Sequence, residues 1–283
     1  MVRGSCLCGD VAWDVGGPLQ LMSHCHCARC RKAHGAPFAT YVATPEESYR
    51  LVRGADRVAR WESSPGFFRA FCARCASVVP GDPWESLVFV PAGSLEGDLG
   101  MRPAMHIFVA SKAPWLELRD ELPRFDGYPP GIDVPAAPDL PARLPATGKA
   151  RGSCLCGGVA YVVEGAPLRW WTCHCQRCRK TRSAACASNL FTAADGVRFL
   201  RGEDLAASYK IPEAKYFRQV FCRACGSPIP RIDHDRNFAI IPAGGLDDDP
   251  GARPQAHIFV GSKEPWDEIT DDVPQHAEYP PSA

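Results

Sequence analysis

One arrangement of seven cysteines is written twice in this chain, and it constrains the architecture more than any other feature. The first copy runs GSCLCGDVAW, SHCHCARCRK and FRAFCARC; the second runs GSCLCGGVAY, TCHCQRCRK and FRQVFCRAC. Cys6, Cys8, Cys25, Cys27, Cys30, Cys72 and Cys75 correspond to Cys154, Cys156, Cys173, Cys175, Cys178, Cys222 and Cys225. The offset is 148 for the first five pairs and 150 for the last two, so the second copy carries two extra residues between them. Of the fifteen cysteines only Cys186 lies outside the pattern.

A chain of 283 residues accommodates two domains of ordinary size. The repeat divides it into a first domain over 1–124, a connector over 125–149 and a second domain over 150–283. Proline at 129, 130, 135, 138, 141 and 145 excludes a helix interior or a central strand from the connector, which reads as extended and polyproline-like. The closing EYPPSA resembles GYPPGI at its start, as duplication of a whole unit requires. Duplication also suggests that the two units pack together as a pseudo-dimer.

Cationic and anionic side chains balance at 32 each, so no basic field draws the chain to nucleic acid or to an anionic membrane. No stretch approaches the roughly 20 apolar residues of a membrane helix, and the N-terminus has no apolar leader. The expected location is therefore cytoplasmic, where thiols stay reduced unless a metal holds them.

Apolar residues alternate. Val11, Trp13 and Val15 match Val159, Tyr161 and Val163 on one face of a strand. YRLVRG matches VRFLRG, LVFVPAGSL matches FAIIPAGGL, and MHIFV matches AHIFV, the last pair followed by SKAPW and SKEPW. These short runs, punctuated by Gly and Pro, predict a mainly β fold with at most one short helix after each CRK segment.

Two pairs, C-x-C and C-x-x-C, brought together from distant hairpins supply the four thiolates of a closed tetrahedral zinc site. The expected sets are Cys6, Cys8, Cys72 and Cys75, and Cys154, Cys156, Cys222 and Cys225. Three cysteines per unit remain, in C-H-C-x-x-C: Cys25, Cys27 and Cys30, then Cys173, Cys175 and Cys178. Three protein ligands with a vacant fourth position describe a reactive zinc site, giving up to four Zn²⁺ per chain, two per domain.

Arg31 and Lys32, with Arg179 and Lys180 in the second copy, follow these trios and are candidates to bind an anionic ligand; the alternative is a solvated basic turn. His26 and His174, flanked by ligands, are expected to point away from the metal. His106 and His257 are either distant fourth ligands or buried histidines bonded to backbone. Cys186 reads as an inert buried thiol, and Trp115 and Trp266 as core residues.

G-S-C-x-C-G, C-H-C-x-x-C-R-K, F-C-x-x-C-G, P-A-G and H-I-F-V-x-S-K-x-P-W together resemble the glutathione-dependent formaldehyde-activating family, which includes a centromere protein. The resemblance covers nearly the whole chain twice. It implies a Mss4-like β-tent fold in each unit, a structural zinc on the split set and an exchangeable zinc on the trio. It further implies a carbon–sulfur lyase-type enzyme acting on a thiol–aldehyde adduct such as S-hydroxymethylglutathione, with glutathione as the small-molecule thiol. The alternative is a non-catalytic thiol-binding or zinc-stabilised interaction module. One departure stands out: Ala76 occupies the position held by Gly226 in the second unit and by glycine in the family.

Overall fold

The computed structural model describes residues 1–132, 140 and 149–281. Twenty short strands and two helices of seven residues account for most of its regular structure, so the chain is mainly β. In the first unit these are β1 (Val2–Ser5), β2 (Ala12–Val15), β3 (Leu21–Cys25), α1 (Ala28–His34), β4 (Ala39–Pro45), β5 (Tyr49–Arg53), β6 (Val58–Ser64), β7 (Phe67–Cys72), β8 (Leu87–Pro91) and β9 (Met105–Ile107). The second unit has β10 (Ala150–Ser153), β11 (Ala160–Val163), β12 (Arg169–Cys173), α2 (Gln176–Arg182), β13 (Ala187–Thr192), β14 (Val197–Arg201) and β15 (Ala206–Lys210). It closes with β16 (Arg218–Cys222), β17 (Arg231–Asp233), β18 (Phe238–Pro242), β19 (Ala256–Ile258) and β20 (Gln275–His276).

Each unit builds three small sheets on one plan, the second unit adding a strand at each edge of the central sheet. The central one has the order β8-β4-β3-β9 in the first unit and β17-β18-β13-β12-β19-β20 in the second. A three-stranded sheet (β1-β2-β5; β10-β11-β14) and a hairpin (β6-β7; β15-β16) complete each unit. Trp13 and Val15 on β2, and Tyr161 and Val163 on β11, are buried as the sequence predicts. Burial alternates along β2, whereas all four residues of β11 are buried, Ala160 and Val162 included.

Two local expectations change. The CRK residues lie inside the helices rather than before them. Helix α1 starts directly after Cys27, whose Sγ accepts from the Cys30 backbone N–H at 3.3 Å, and ends at Gly35 in the left-handed region. The HIFV strands also stop two residues early, at Ile107 and Ile258. Phe108 and Phe259 adopt φ of 59° and 57°, unusual for a bulky residue, and a 3₁₀ turn follows each.

Phe125, at the start of the presumed connector, donates its N–H to the His106 carbonyl at 2.9 Å, and Phe108 donates to Gly127 at 3.2 Å. The chain through Tyr128 is thus bonded to β9 of the first unit. The polyproline expectation for the rest of the connector falls mainly on 133–139 and 141–148, outside the described residues.

The hydrophobic cores cross between units. Trp266 is 1% exposed in a cluster otherwise built largely from the first unit, with Trp13, Met22, Val42 and Val90. Trp115 is 3% exposed among Tyr161, Trp170, Leu190 and Ile241 of the second. Close approach elsewhere explains the PAG glycines. A Cβ on Gly93 would lie 2.1 Å from the Ala184 carbonyl oxygen, and one on Gly244 would lie 2.4 Å from the Ala36 backbone. No helix among the described residues is long and apolar enough to cross a membrane.

Candidate metal centres

The strands bring the cysteines together in four groups, each with its sulfurs within 4.8 Å of one another. Two are quartets: Cys6, Cys8, Cys72 and Cys75, and Cys154, Cys156, Cys222 and Cys225. Two are trios: Cys25, Cys27 and Cys30, and Cys173, Cys175 and Cys178. All fifteen thiols are free. Cys8 Sγ lies 3.5 Å from Cys6 and 3.6 Å from Cys72, and Cys156 Sγ lies 3.4 Å from Cys154 and 3.9 Å from Cys222. A disulfide would need about 2.05 Å. Four sulfurs about 2.3 Å from a tetrahedral zinc would be about 3.8 Å apart, close to what is observed.

The donor chemistry fits a cation equally well. In the second trio, hydrogen bonds from Cys173 and Cys178 hold the Cys175 thiol down to about 3. Sharing a proton with Cys175 pushes Cys173 up to about 12. Bonds to Cys173 and Cys175, with burial, raise Cys178 well above the ordinary thiol value. Thiols this close cannot all ionise on their own; a divalent cation among them removes that conflict. The quartets show the same division, with Cys75 and Cys225 lowered by their neighbours' hydrogen bonds and Cys6 and Cys154 raised.

Placement by the fold distinguishes the two kinds of group. Each quartet joins the turn after the first strand of a unit to the knuckle after its late hairpin, and backbone N–H groups wrap its sulfurs. Val11 donates to Cys6 Sγ at 3.3 Å and Val159 to Cys154 Sγ at 3.2 Å. Each trio spans the end of a central strand and the first turn of a helix. One cysteine of each quartet, Cys8 and Cys156, is half-buried, as are Cys27 of the first trio and Cys175 and Cys178 of the second. What sets the trios apart is an exposed tyrosine nearby. Tyr128 packs on Phe108 with ring centroids 4.8 Å apart, and Tyr279 packs on Phe259 at 4.9 Å.

The histidines inside the C-H-C segments do not join the trios. His26 Nε2 is 2.8 Å from His106 Nδ1, and His106 Nε2 is 3.0 Å from the Asp120 carboxylate. The second unit repeats this with His174, His257 and Asp271 at 2.9 and 3.0 Å. His106 and His257 are therefore buried histidines, as one expectation had it, but their partners are side chains rather than backbone. With Asp120 accepting from Nε2–H, His106 Nδ1 is the acceptor and His26 the donor, so the chain pins the C-H-C segment to β9. Asp120 and Asp271 were absent from the sequence reading, although both precede a matching x-x-P turn.

The cations expected to bind an anion are engaged elsewhere. Lys32 Nζ donates to Ser153 O and Oγ, both at 2.8 Å, and pairs with Asp247 at 2.7 Å, all in the second unit. Lys180 Nζ reaches back to Ser5 Oγ and Glu96, each at 2.8 Å. Arg179 pairs with the buried Glu264 and donates to the His174 carbonyl at 3.1 Å; Arg31 is buried. A side chain that does reach a trio was missed: Arg69 Nη2 lies 3.6 Å from Cys30 Sγ. Cys186 is buried, and burial pushes its thiol up.

Fold and clusters define a mainly β protein built as a tandem of thiol-cluster units. The family model for the glutathione-dependent formaldehyde-activating enzyme matches residues 1–111 and 149–262, and the chain belongs to that family. A solved structure of a Rhodobacter sphaeroides protein is 24% identical, over 34% of this chain and 88% of that one, with a TM-score of 0.28. No curated protein matches the chain.

Proposed function

We propose that this protein is a zinc-dependent carbon–sulfur lyase-type enzyme acting on the adduct of a small thiol with an aldehyde, S-hydroxymethylglutathione being the case its family name suggests. The observation that carries the reading is the contrast between clusters: four sulfurs close upon one another in the quartets, whereas the trios gather three, with no fourth His, Cys, Asp or Glu donor beside them among the described residues. Cys6, Cys8, Cys72 and Cys75, with their counterparts, would hold structural ions, and Cys25, Cys27 and Cys30, with theirs, exchangeable ones. Zinc in a trio would supply a positive centre at which an incoming thiol gives up its proton.

The chain's own part is to hold and shape that position. The His26–His106–Asp120 chain fixes the C-H-C segment, and Phe108 and Tyr128 wall one side. In the adduct-forming direction a carbon–sulfur bond forms and the thiol proton ends on the former carbonyl oxygen; breakdown reverses both changes. The units are proposed to be Mss4-like β-tents packed as a pseudo-dimer. Support comes from reciprocal contacts: Lys32 with Ser153 and Lys180 with Ser5, Trp115 and Trp266 each in the opposite core. So many reduced thiols suit the cytoplasm.

The test is the rate of S-hydroxymethylglutathione formation against the uncatalysed reaction. Zinc-loaded protein accelerates it, and Cys27→Ser with Cys175→Ser abolishes the acceleration. Glutathione binding without acceleration would make the protein a thiol-binding module instead.

A further inference from the structure

We propose that the two trios have diverged in the ligand they take: the first, through Arg69, favours a thiol that carries an anionic group beside its sulfur, and the second lacks this preference. This rests on the reading of the trios as thiol-accepting metal sites.

The difference originates on one strand. β7 reads R-A-F-C into its cysteine knuckle, whereas β16 reads Q-V-F-C, so Gln219 stands where Arg69 does. Arg69 is half-buried; one guanidinium nitrogen reaches Cys30 Sγ, and its Nε has no hydrogen-bond partner. A guanidinium thus lies against a sulfur of the cluster, on a side chain that is only half-buried as a whole although its Nε is enclosed. Three thiolates on a divalent ion carry a net charge of −1, and a thiolate ligand bearing a carboxylate adds two more negative charges. A guanidinium at hydrogen-bond range offsets part of that repulsion and suits a carboxylate's geometry. Gln219, 3% exposed, offers no charge.

The second unit also holds a buried guanidinium near its trio, but in a different place. Arg182 on α2 replaces His34 of α1 and is 6% exposed at the seam between the units. It donates to Asn189 Oδ1 at 3.3 Å, and its Nη1 lies 3.1 Å from where a Cβ on Gly35 would sit. Like Arg69 it has buried nitrogens without a hydrogen-bond partner, Nε and Nη1, but its hydrogen bond goes to Asn189 and not to a cluster sulfur. The sheet face beside each trio also differs. Strand register sets Trp171 opposite Asn189 and Arg169 opposite Phe191 in the second unit, against Ser23 opposite Tyr41 and Leu21 opposite Ala43 in the first. Arg169 stacks over Trp171 at 4.9 Å and over Phe191 at 5.9 Å, while Tyr279 lies 5.7 Å from Trp171. Both trios thus have aromatic neighbours, Tyr41 and Phe108 in the first and Trp171 and Phe191 in the second. Among the described residues, only in the first does a guanidinium reach a cluster sulfur, Arg169 of the second being stacked on Trp171 and Phe191.

The experiment uses full-length protein loaded with Co²⁺, whose ligand-field bands report a fourth sulfur entering a three-sulfur site. Mercaptoacetate and 2-mercaptoethanol are the probes, matched in size and differing in charge. At low ionic strength the wild type shows two phases with mercaptoacetate, one about tenfold tighter, and a single phase with 2-mercaptoethanol. Arg69→Gln, which installs the second unit's own residue, removes the tight phase. Gln219→Arg makes both phases tight, and serves alone if the first variant does not fold. An unchanged mercaptoacetate titration in Arg69→Gln, or the same tight phase with 2-mercaptoethanol, overturns the proposal. No spectral response to either thiol at either trio overturns the thiol-site reading beneath it.

Discussion

The ring of Trp115, borne on the segment that follows β9 of the first unit, packs edge-on against Trp170 in the core of the second, with centroids 5.0 Å apart. Trp266 makes the converse excursion into the first unit's core. Each unit's core is therefore completed by an aromatic side chain that its own strands do not surround.

Trp115→Ala should destabilise the second unit, in which the side chain is buried, by about 3–5 kcal/mol, the usual cost of deleting a large aromatic. Hydrogen exchange mapped by peptide checks the direction: protection should fall first in β11, β12 and β18. Greater loss in the first unit would contradict the exchange of cores.

Lys32 and Asp247 form a buried ion pair across the units, with side chains 5% and 6% exposed. Lys32→Met alone should cost about 3–5 kcal/mol, because it leaves a carboxylate without its cation. Lys32→Met with Asp247→Leu should recover much of that loss, since an apolar pair fills the space without desolvated charge. Urea midpoints of the three proteins give the comparison.

The glycine-for-alanine difference at the knuckles is tested in both directions. Ala76 has φ of 58° and Gly226 φ of 73°, so the position demands a left-handed backbone in both units. Ala76→Gly relieves about 1 kcal/mol of strain and loses one buried methyl, for little net change. Gly226→Ala must accept the strain and also place its Cβ 2.6 Å from the Phe71 ring, so it should cost about 2–4 kcal/mol. Thermal unfolding of both variants decides.

His34 gives a pH dependence. Burial holds it down to about 4, against about 6.5 in an unfolded chain. Between those values the unfolded state binds more protons, so stability present above pH 6.5 is lost as pH falls towards 4, by up to about 3 kcal/mol. His34→Gln should be less stable than wild type at pH 7, and the gap should close at pH 4.5. A gap that stays constant would show that His34 does not titrate in this way.

Cysteine spacing made the clusters legible because ligand chemistry is local: C-x-C and C-x-x-C bring sulfurs close whatever the surrounding fold does. The β character followed from alternation at Trp13 and Val15 and their counterparts. Exchange of Trp115 and Trp266 was not legible, because a perfect repeat reads the same whether each tryptophan caps its own unit or its neighbour. Lys32 and Lys180 were misplaced for a related reason. Once C-R-K lies inside a helix, the helix turns the lysine to the seam, which spacing from the cysteine does not reveal. Arg69 was readable: aligning R-A-F-C with Q-V-F-C exposes it, but a single charge beside a strand has no motif to mark it.

Metal content followed through graded chelation tests the central claim most directly. Protein purified without added zinc, treated with stepwise EDTA and assayed for bound metal, should start near four ions per chain. Two should leave at low chelator from the trios, and two should persist in the quartets until the fold is lost. Four ions released together, or a chain that folds with none, would contradict the division of its thiols into closed and open centres.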